Sequence, residues 1–282
     1  KDRVMATYRA RVRARNHVAA FIKSFYRRSD MSMLELTPDF IKEFAAYLST
    51  EAGLRNGSIW ANCMWLKGVV MKAHYNGLIP RNPFIQFHIS PNVKEREYLT
   101  EDELKAVMTH EFADSKLAYI RDIFIFASFT ALSFVDIQEL TNDNIVEVNG
   151  EKWILSKRHK TKVAFQVKLL DIPLQIVERY RPMQKDNRIF PGLNYWSICK
   201  PLKRMIRECG ITKSISFHFP RHGFATLALS KGMPIESVSR VLGHTNIVTT
   251  QLYAKITTQK LDNDLTMFGD KLSKTFNGIT MS

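Results

Sequence analysis

The sequence predicts a mainly α-helical protein with a small antiparallel β-sheet or hairpin, divided into two domains. Apolar residues recur at helical spacing over most of the 282 residues, whereas period-two alternation is confined to one stretch after Asn149-Gly150. A polar segment that contains a proline, "SPNVKEREYL", separates a shorter first part from a longer second part. We therefore expect a helical domain at 1–90, a linker at 91–98 and a second domain at 99–282.

Three helices are expected in the first domain. The first covers residues 1 to about 28, because its apolar residues at 18, 21, 22 and 25 have the i, i+3, i+4, i+7 spacing of one helical face. The second begins after Thr37 as N-cap, with Pro38 at its first position. The third starts near Ser58 and ends at Asn76-Gly77, a sequence typical of a helix C-cap.

The second domain is predicted to begin with a capped helix. Thr100 and Glu103 have the spacing of a capping box, and the apolar segment "FIFASFTALSFV" then predicts a buried helix. Period-two alternation in "WILSKRHKTKVAFQVKL" predicts two strands that meet near His159 and Lys160. Helices follow, so this domain is expected to combine α and β structure.

The charge balance indicates a polyanionic partner. Lysine and arginine outnumber aspartate and glutamate by 41 to 27, giving a net charge of +14, while the apolar content is that of a globular protein. Basic residues are spread along the whole chain, which fits nucleic acid better than an anionic membrane surface. The front half of the first helix is basic, and it is either a DNA contact or a solvated charged face. Its arginines are Arg9, Arg11, Arg13 and Arg15.

Several classes of protein are not favoured. The three cysteines lack CxxC spacing, so neither a disulfide framework nor a zinc site is indicated, and a reducing cytosol is the expected compartment. The most apolar run, 123–135, is too short to span a bilayer. The sequence has no P-loop and no carboxylates spaced for a metal, so we expect no cofactor and no metal. Since the chain starts at Lys1, an additional amino-terminal module stays an open alternative.

Three motifs carry candidate chemistry. In "SFHFPRHGF", His218 and Arg221 lie three residues apart at a helix start, where backbone amides and a guanidinium can bind one phosphate. In "VLGHTNIVTTQLYAK", Tyr253 lies nine residues after His244, so its phenol could approach the same pocket. Lys160, at the hairpin tip, could donate a proton if its surroundings lower its pKa. Each of these residues alone also has an ordinary structural explanation, such as a buried tyrosine or a solvated turn lysine.

Together the motifs resemble those of the tyrosine recombinases, also called phage integrases. The segment "HFPRHGFATLALSKGMPIESVSRVLGHTNIVTTQLYAKIT" is a long match, and the resemblance extends over the whole chain. Within the family, the sequence is most similar to integrases of conjugative and mobilisable transposons. The resemblance implies a helical, SAM-like core-type DNA-binding domain at 1–90 and an α+β catalytic domain at 99–282.

The resemblance also implies the chemistry. Tyr253 would attack a DNA phosphodiester, giving a 3′-phosphotyrosyl link and a free 5′-hydroxyl, and this transesterification needs neither ATP nor a metal. His218, Arg221 and His244 would stabilise the charge that builds on the phosphorus oxygens. Lys160 would protonate the departing 5′-oxygen, and His218 is one candidate to receive the tyrosine proton.

The sequence departs from the family pattern at one catalytic position. Ser133 stands where the family has its first arginine, and a serine hydroxyl carries no charge. Because some transposon integrases carry the same serine, we interpret it as a subfamily trait. Arg121, Arg158 and Lys162 are the alternatives for a replacement cation, and the last two are also candidate DNA contacts.

Two neighbours of the motifs are also of interest. Asp136 occupies a place where the family commonly has an acidic residue that orients other side chains. His222 follows Arg221 directly, and on a helix we expect it to point elsewhere and to have a structural role.

The resemblance implies a bacterial cytoplasmic protein that binds double-stranded DNA at recombination sites to integrate or excise a mobile element. Family members act as homotetramers on two sites, and accessory DNA-bending proteins are further candidate partners. We expect the two domains to close on duplex DNA as a C-shaped clamp. The apolar series after Leu261 is either exchanged between protomers or folded back on its own domain; it consists of Leu265, Met267, Phe268, Leu272 and Phe276.

Two other functions are consistent with parts of the sequence. The segment "LALSKGMPIESVSRVLGHTNI" fits a helix-turn-helix with Gly232 in its turn, as in a DNA-binding regulator without catalytic activity. Type IB topoisomerases use a similar tyrosine but relax DNA as monomers.

Overall fold

In the computed structural model, the described residues are 2–90, 97–159, 162–184, 186–253 and 258–275. They form many helices and one three-stranded antiparallel sheet, which confirms the predicted fold class. The chain divides into two compact units, 1–95 and 96–282. Within the described ranges, no helix is both long enough and apolar enough to cross a membrane.

The first unit is helical. Its helices are α1 (Asp2–Phe25), α2 (Pro38–Thr50) and α3 (Asn56–Tyr75), with one 3-10 turn at Met33–Glu35. Thr37 caps α2 as predicted, because its hydroxyl accepts a hydrogen bond from the Phe40 amide at 3.1 Å. Helix α3 ends as predicted at Asn76, and Gly77 follows with φ of +71°.

Aromatic side chains fill the centre of the first unit. The Phe21 ring lies 5.1 Å from that of Phe40 and 5.5 Å from that of Phe44, measured between ring centres, and all three side chains are buried. The front half of α1 is exposed by comparison. Its exposed residues include the four predicted DNA contacts, Arg9, Arg11, Arg13 and Arg15.

The second unit contains nine described helices. They are α4 (Glu101–Thr109), α5 (Ser115–Thr130), α6 (Phe134–Gln138), α7 (Asp171–Tyr180), α8 (Tyr195–Glu208), α9 (Phe219–Ser230), α10 (Ile235–Leu242), α11 (Val248–Gln251) and α12 (Thr258–Thr275). Two 3-10 turns accompany them at Asn142–Asn144 and Arg181–Met183. Thr100 and Glu103 form the predicted capping box at the start of α4.

Helix α5 is the central element of this unit. It packs against α7, α8 and α9, and its second half is almost entirely buried. The sequence predicted one helix through "FIFASFTALSFV", but α5 ends at Thr130 and α6 begins at Phe134. The break occurs at Ala131, whose φ of +56° lies in the left-handed region and stops the right-handed helix.

The sheet has the order β1-β2-β3, with β1 at Ile145–Val148, β2 at Glu151–Lys157 and β3 at Ala164–Lys168. Asn149 and Gly150 both have positive φ values, +53° and +77°, which suits the two-residue turn between β1 and β2. The hairpin expected from the sequence is formed by β2 and β3. Its loop starts beside α6, and this placement brings the end of β2 to the candidate site described next.

Candidate active site

The first turn of α9 presents His218 and Arg221. His218 is the N-cap residue of the helix and is exposed, whereas Pro220 in the first turn is buried. Proline suits this position because the first turn has no intrahelical partner for its backbone N–H groups. The sequence motif therefore begins a helix, as its residues predicted.

Arg221 joins the ends of two other helices. Its guanidinium donates to the carbonyl oxygen of Ala131, just after α5, at 2.8 Å, and to the carbonyl oxygen of Leu242, the last residue of α10. Burial and the nearby Arg158 guanidinium together lower the pKa of Arg221 to about 10, with Asp136 and Tyr253 acting in the opposite direction. Arg221 thus keeps its charge at neutral pH.

A second arginine, Arg158, lies next to the first. It is 5% exposed and donates to Asp136 Oδ2 at 2.7 Å and to the carbonyl oxygen of Val241 at 2.6 Å. Its guanidinium carbon lies 4.2 Å from the centre of the Phe165 ring. Val241 and Leu242 are consecutive, so Arg158 and Arg221 bind neighbouring carbonyls at the negative end of α10.

Ser133 and Arg158 meet at one carboxylate. Ser133 caps α6, and its hydroxyl donates to Asp136 Oδ2 at 2.7 Å, the oxygen that Arg158 also binds. The other oxygen, Oδ1, accepts the His159 amide at 3.0 Å. Burial alone would raise the pKa of Asp136, but these hydrogen bonds and the Arg158 charge bring it below its usual range. The ionised carboxylate therefore connects α6 to the β2–β3 loop.

The other two candidate cations lie elsewhere. Arg121 donates to Asp122 and to the carbonyl oxygen of His110, each at 2.9 Å. Lys162 is exposed in the β2–β3 loop, and its amide donates to the carbonyl oxygen of Arg158 at 2.8 Å. Of the three alternatives, only Arg158 shares a carboxylate with Ser133.

His244 follows the sharp end of α10. Gly243 has φ of +61°, and a Cβ added there would lie 2.9 Å from Arg158 Nε, so this glycine leaves the space that the arginine occupies. His244 Nδ1 is hydrogen-bonded to the buried hydroxyl of Thr250 at 2.8 Å. Burial and the charges of Arg221 and Arg158 together lower the pKa of His244 to about 4, so the imidazole is neutral at neutral pH.

Tyr253 lies two residues after α11 and contacts α9. Its hydroxyl is 2.8 Å from His222 Nδ1, and the two ring centres are 5.3 Å apart. From the sequence, His222 is expected to point away from the site, and this expectation is wrong. His222 lies four residues after His218, however, and residues at this spacing share a helix face; their ring centres are 6.4 Å apart. The i+4 spacing from His218 is the signal that could have identified it.

The second unit thus gathers most of the predicted residues. Arg158 and Arg221 bind neighbouring carbonyls, Ser133 is connected to Arg158 through Asp136, and the Tyr253 hydroxyl contacts the residue after Arg221. Lys160 lies outside the described residues. The four predicted arginines of α1 belong to the first unit.

Comparisons with known proteins agree with this arrangement. The sequence profile described as the phage integrase family matches residues 97–260, and the profile of the phage integrase SAM-like domain matches residues 1–89. Tyrosine recombinase XerA of Pyrococcus horikoshii is 32% identical over 177 residues, which are 58% of this chain and 58% of XerA. Tyrosine recombinase XerC of Lactobacillus leichmannii is 25% identical over 229 residues, covering 76% of this chain and 77% of XerC.

Solved structures show the same fold. The Tn1549 transposon integrase in complex with a circular intermediate DNA has a TM-score of 0.72 at 18% identity, covering 83% of this chain and 86% of that one. A lambda integrase dimer bound to a core site has a TM-score of 0.69 at 17% identity, covering 90% of this chain and 88% of that one. The family match over more than half of the sequence decides the assignment, and the chain belongs to the phage integrase family of tyrosine recombinases.

Proposed function

We propose that the protein is a site-specific DNA recombinase that cuts and rejoins DNA through a covalent bond between Tyr253 and a 3′-phosphate. The observation that carries the proposal is the 2.8 Å contact between the Tyr253 hydroxyl and Nδ1 of His222, the residue that directly follows the partly buried, charged guanidinium of Arg221 in α9. A phosphodiester bound by that guanidinium would bring its phosphorus towards a nucleophile on the same chain. The names of the relatives, tyrosine recombinases and integrases, support the same activity.

The proposed cleavage step conserves the number of phosphoester bonds. Tyr253 Oη attacks phosphorus, the bond from phosphorus to the 5′-oxygen breaks, and Lys160 protonates that oxygen as it leaves. The phenol loses its proton in the same step. Strand joining is the reverse reaction with the 5′-hydroxyl of another strand, so no external source of energy is required.

Arg158 supplies the charge that Ser133 lacks. It is buried beside Arg221, and two guanidiniums can together stabilise the two non-bridging oxygens of the phosphate as negative charge builds. Asp136 holds Arg158 in place and prevents it from turning towards bulk water. Ser133 keeps a supporting role, because its hydroxyl donates to the same carboxylate oxygen.

His244 acts as a neutral hydrogen-bond donor, and His218 contacts the phosphate from the start of α9. We assign the Thr250 hydroxyl as donor to His244 Nδ1, which leaves the ring hydrogen on Nε2 for a phosphate oxygen. The low pKa of His244 supports this assignment, since the ring has one donor and one acceptor when neutral. His218 lies exposed at the N-cap of α9, the positive end of the helix dipole, which favours anions.

Double-stranded DNA at recombination sites is the proposed substrate, and the exposed arginines of α1 together with Lys162 are proposed to contact its backbone. Binding should weaken by about 0.9 log unit of affinity per log unit of salt for each phosphate neutralised. The protein is proposed to act as a homotetramer on two sites. Helix α12 supports this, because it presents an apolar series at i, i+4, i+7 and i+11 spacing with exposed fractions of 40–60%: Leu261, Leu265, Phe268 and Leu272.

The proposal is tested by trapping the covalent intermediate. A nicked DNA that releases a short 5′-fragment after cleavage should leave labelled DNA attached to the wild-type protein, and Tyr253→Phe should bind the DNA but form no adduct. Tyr75→Phe is the matched control, since Tyr75 is 77% exposed at the end of α3 in the other unit. Absence of an adduct with the wild type, or an adduct with Tyr253→Phe, would refute the proposal.

The same assay separates the two alternative functions. A DNA-binding regulator would bind DNA without forming an adduct, and Lys160→Ala would then have no effect beyond binding. A topoisomerase-like enzyme would form the adduct but relax any supercoiled plasmid as a monomer. The proposed recombinase instead exchanges strands only between DNA molecules that both carry its site.

A further inference from the structure

We propose that His222 is the catalytic base that accepts the proton of Tyr253. The proposal rests on the proposed function, because it concerns the first step of strand cleavage. His222 Nδ1 lies 2.8 Å from the Tyr253 hydroxyl, which is a normal hydrogen-bond distance between a phenol and an imidazole. In this contact the phenol donates and Nδ1 accepts, so the neutral ring carries its hydrogen on Nε2.

The geometry favours His222 over His218 for this role. The Tyr253 ring centre is 5.3 Å from that of His222, and its hydroxyl is within hydrogen-bond distance of His222 Nδ1. His218 is the N-cap residue at the exposed start of α9, and its ring centre is 6.4 Å from that of His222. A base must be within hydrogen-bond distance of the proton that it removes, or be connected to it through one water. In the described part of the chain, the Tyr253 hydroxyl is hydrogen-bonded to the His222 side chain.

The proton balance of the complete reaction follows. As Tyr253 Oη bonds to phosphorus, its proton moves to His222 Nδ1, and the departing 5′-oxygen takes a proton from Lys160. During strand joining the phenol leaves phosphorus and recovers the proton from His222, while the incoming 5′-hydroxyl returns one to Lys160. The imidazolium therefore exists only while the DNA is attached to the protein, and no proton has to be exchanged with solvent.

His222 has charged and titratable neighbours that bear on this role. The Tyr253 phenol faces it from the segment after α11, His218 lies on the same face of α9, and the adjacent residue Arg221 places a permanent positive charge in the site. A neutral His222 is the form that can accept the phenolic proton.

A substitution that keeps the hydrogen bond but removes the base tests the proposal. In His222→Asn, the side-chain oxygen lies near the position of Nδ1 and can accept from the phenol, but it cannot take up a proton at neutral pH. We expect adduct formation on the nicked DNA to slow by about 10²- to 10⁴-fold, the usual contribution of a general base. DNA affinity, measured by fluorescence anisotropy on the same DNA, should be unchanged.

Fluorinated tyrosines at position 253 distinguish a base from a structural residue. Their phenols have lower pKa values than the value of about 10 of tyrosine, so they ionise without assistance. We expect them to restore most of the cleavage lost in His222→Asn but not the cleavage lost in Arg221→Ala. Three results would each overturn the proposal. His222→Asn could cleave at the wild-type rate, or its loss of cleavage could persist with every fluorotyrosine. Fluorotyrosines could also restore cleavage in His218→Asn and not in His222→Asn.

If the protein is not a recombinase, the result differs from all of these, because the wild-type protein then forms no adduct at all.

A second measurement does not depend on a folded His222 variant. In nitrogen-15 NMR of histidine-labelled protein, Tyr253→Phe should shift the Nδ1 resonance of His222 as its hydrogen bond is lost. An unchanged Nδ1 resonance would contradict the contact on which the proposal depends.

Discussion

The substitution Gly243→Ala tests how the buried arginine is held. A Cβ at residue 243 would lie 2.9 Å from Nε and 3.0 Å from Cγ of Arg158. The arginine cannot move aside freely, because its guanidinium is bound to Asp136 and to the carbonyl oxygen of Val241 and its face covers the Phe165 ring. The added methyl group must therefore displace either Arg158 or the end of α10.

The magnitude has two parts. Alanine at a φ of +61° costs about 1–2 kcal/mol, because the left-handed conformation brings Cβ close to the following carbonyl oxygen. Overpacking against a fixed buried side chain adds about 1–3 kcal/mol. Gly210→Ala provides the matched control, since Gly210 has φ of +75° after α8 and no described atom lies within 4 Å of its added Cβ. We expect a loss of about 2–5 kcal/mol for Gly243→Ala and about 1–2 kcal/mol for Gly210→Ala.

Urea denaturation measures the two stabilities, and the nicked-DNA assay measures cleavage at a temperature where both variants are folded. If Arg158 supplies charge to the phosphate, its displacement in Gly243→Ala should slow cleavage by about 10²- to 10³-fold. Gly210→Ala should cleave like the wild type. The two variants could instead lose the same amount of unfolding free energy, with Gly243→Ala still cleaving at the wild-type rate. This result would show that the glycine does not make room for a catalytic arginine.

Three further outcomes are expected. Asp136→Ala leaves Arg158 buried without its counter-ion and should cost about 3–5 kcal/mol of unfolding free energy, while adding Arg158→Met should recover part of that loss in denaturant titrations. Because the pKa of His244 falls from about 6.5 when unfolded to about 4 when folded, the stability of the wild type should decrease as the pH falls from 6.5 to 4. Solvent screening of this partly exposed ring limits the loss to about 1–2 kcal/mol, and His244→Gln should flatten this part of the pH curve. Burial raises the pKa of Cys63 to about 11, so its thiol should stay unreactive towards a disulfide reagent until the first unit unfolds, and rapid reaction in native buffer would contradict that burial.

Local signals in the sequence predicted much of the fold. Thr37, Thr100 and the Asn149-Gly150 pair have effects that extend over only a few residues, so their caps and turn could be identified without tertiary contacts. The end of α5 could not, because an alanine in the left-handed conformation has no sequence signature. Ala131 adopts it where its carbonyl oxygen binds Arg221, which lies ninety residues further along the chain.

The site was predictable in its residue types but not in its connections. The choice among three cations required knowing that Arg158 and Ser133 bind one carboxylate, and this contact joins residues from two separate elements. The role inferred for His222 depended on where Tyr253 lies after α11, which no periodicity reveals. The motifs identified the chemistry, and the tertiary structure identified which neighbours take part in it.

The carbonyl oxygens that hold the two guanidiniums have a consequence for protein engineering. Side-chain replacements at Ala131, Val241 or Leu242 leave these main-chain acceptors in place, so libraries that diversify these positions should retain both cations as long as the helix ends keep their backbone path. Residues that govern that path, above all the glycine after α10, are the ones that directed evolution of new target specificities would have to leave unchanged.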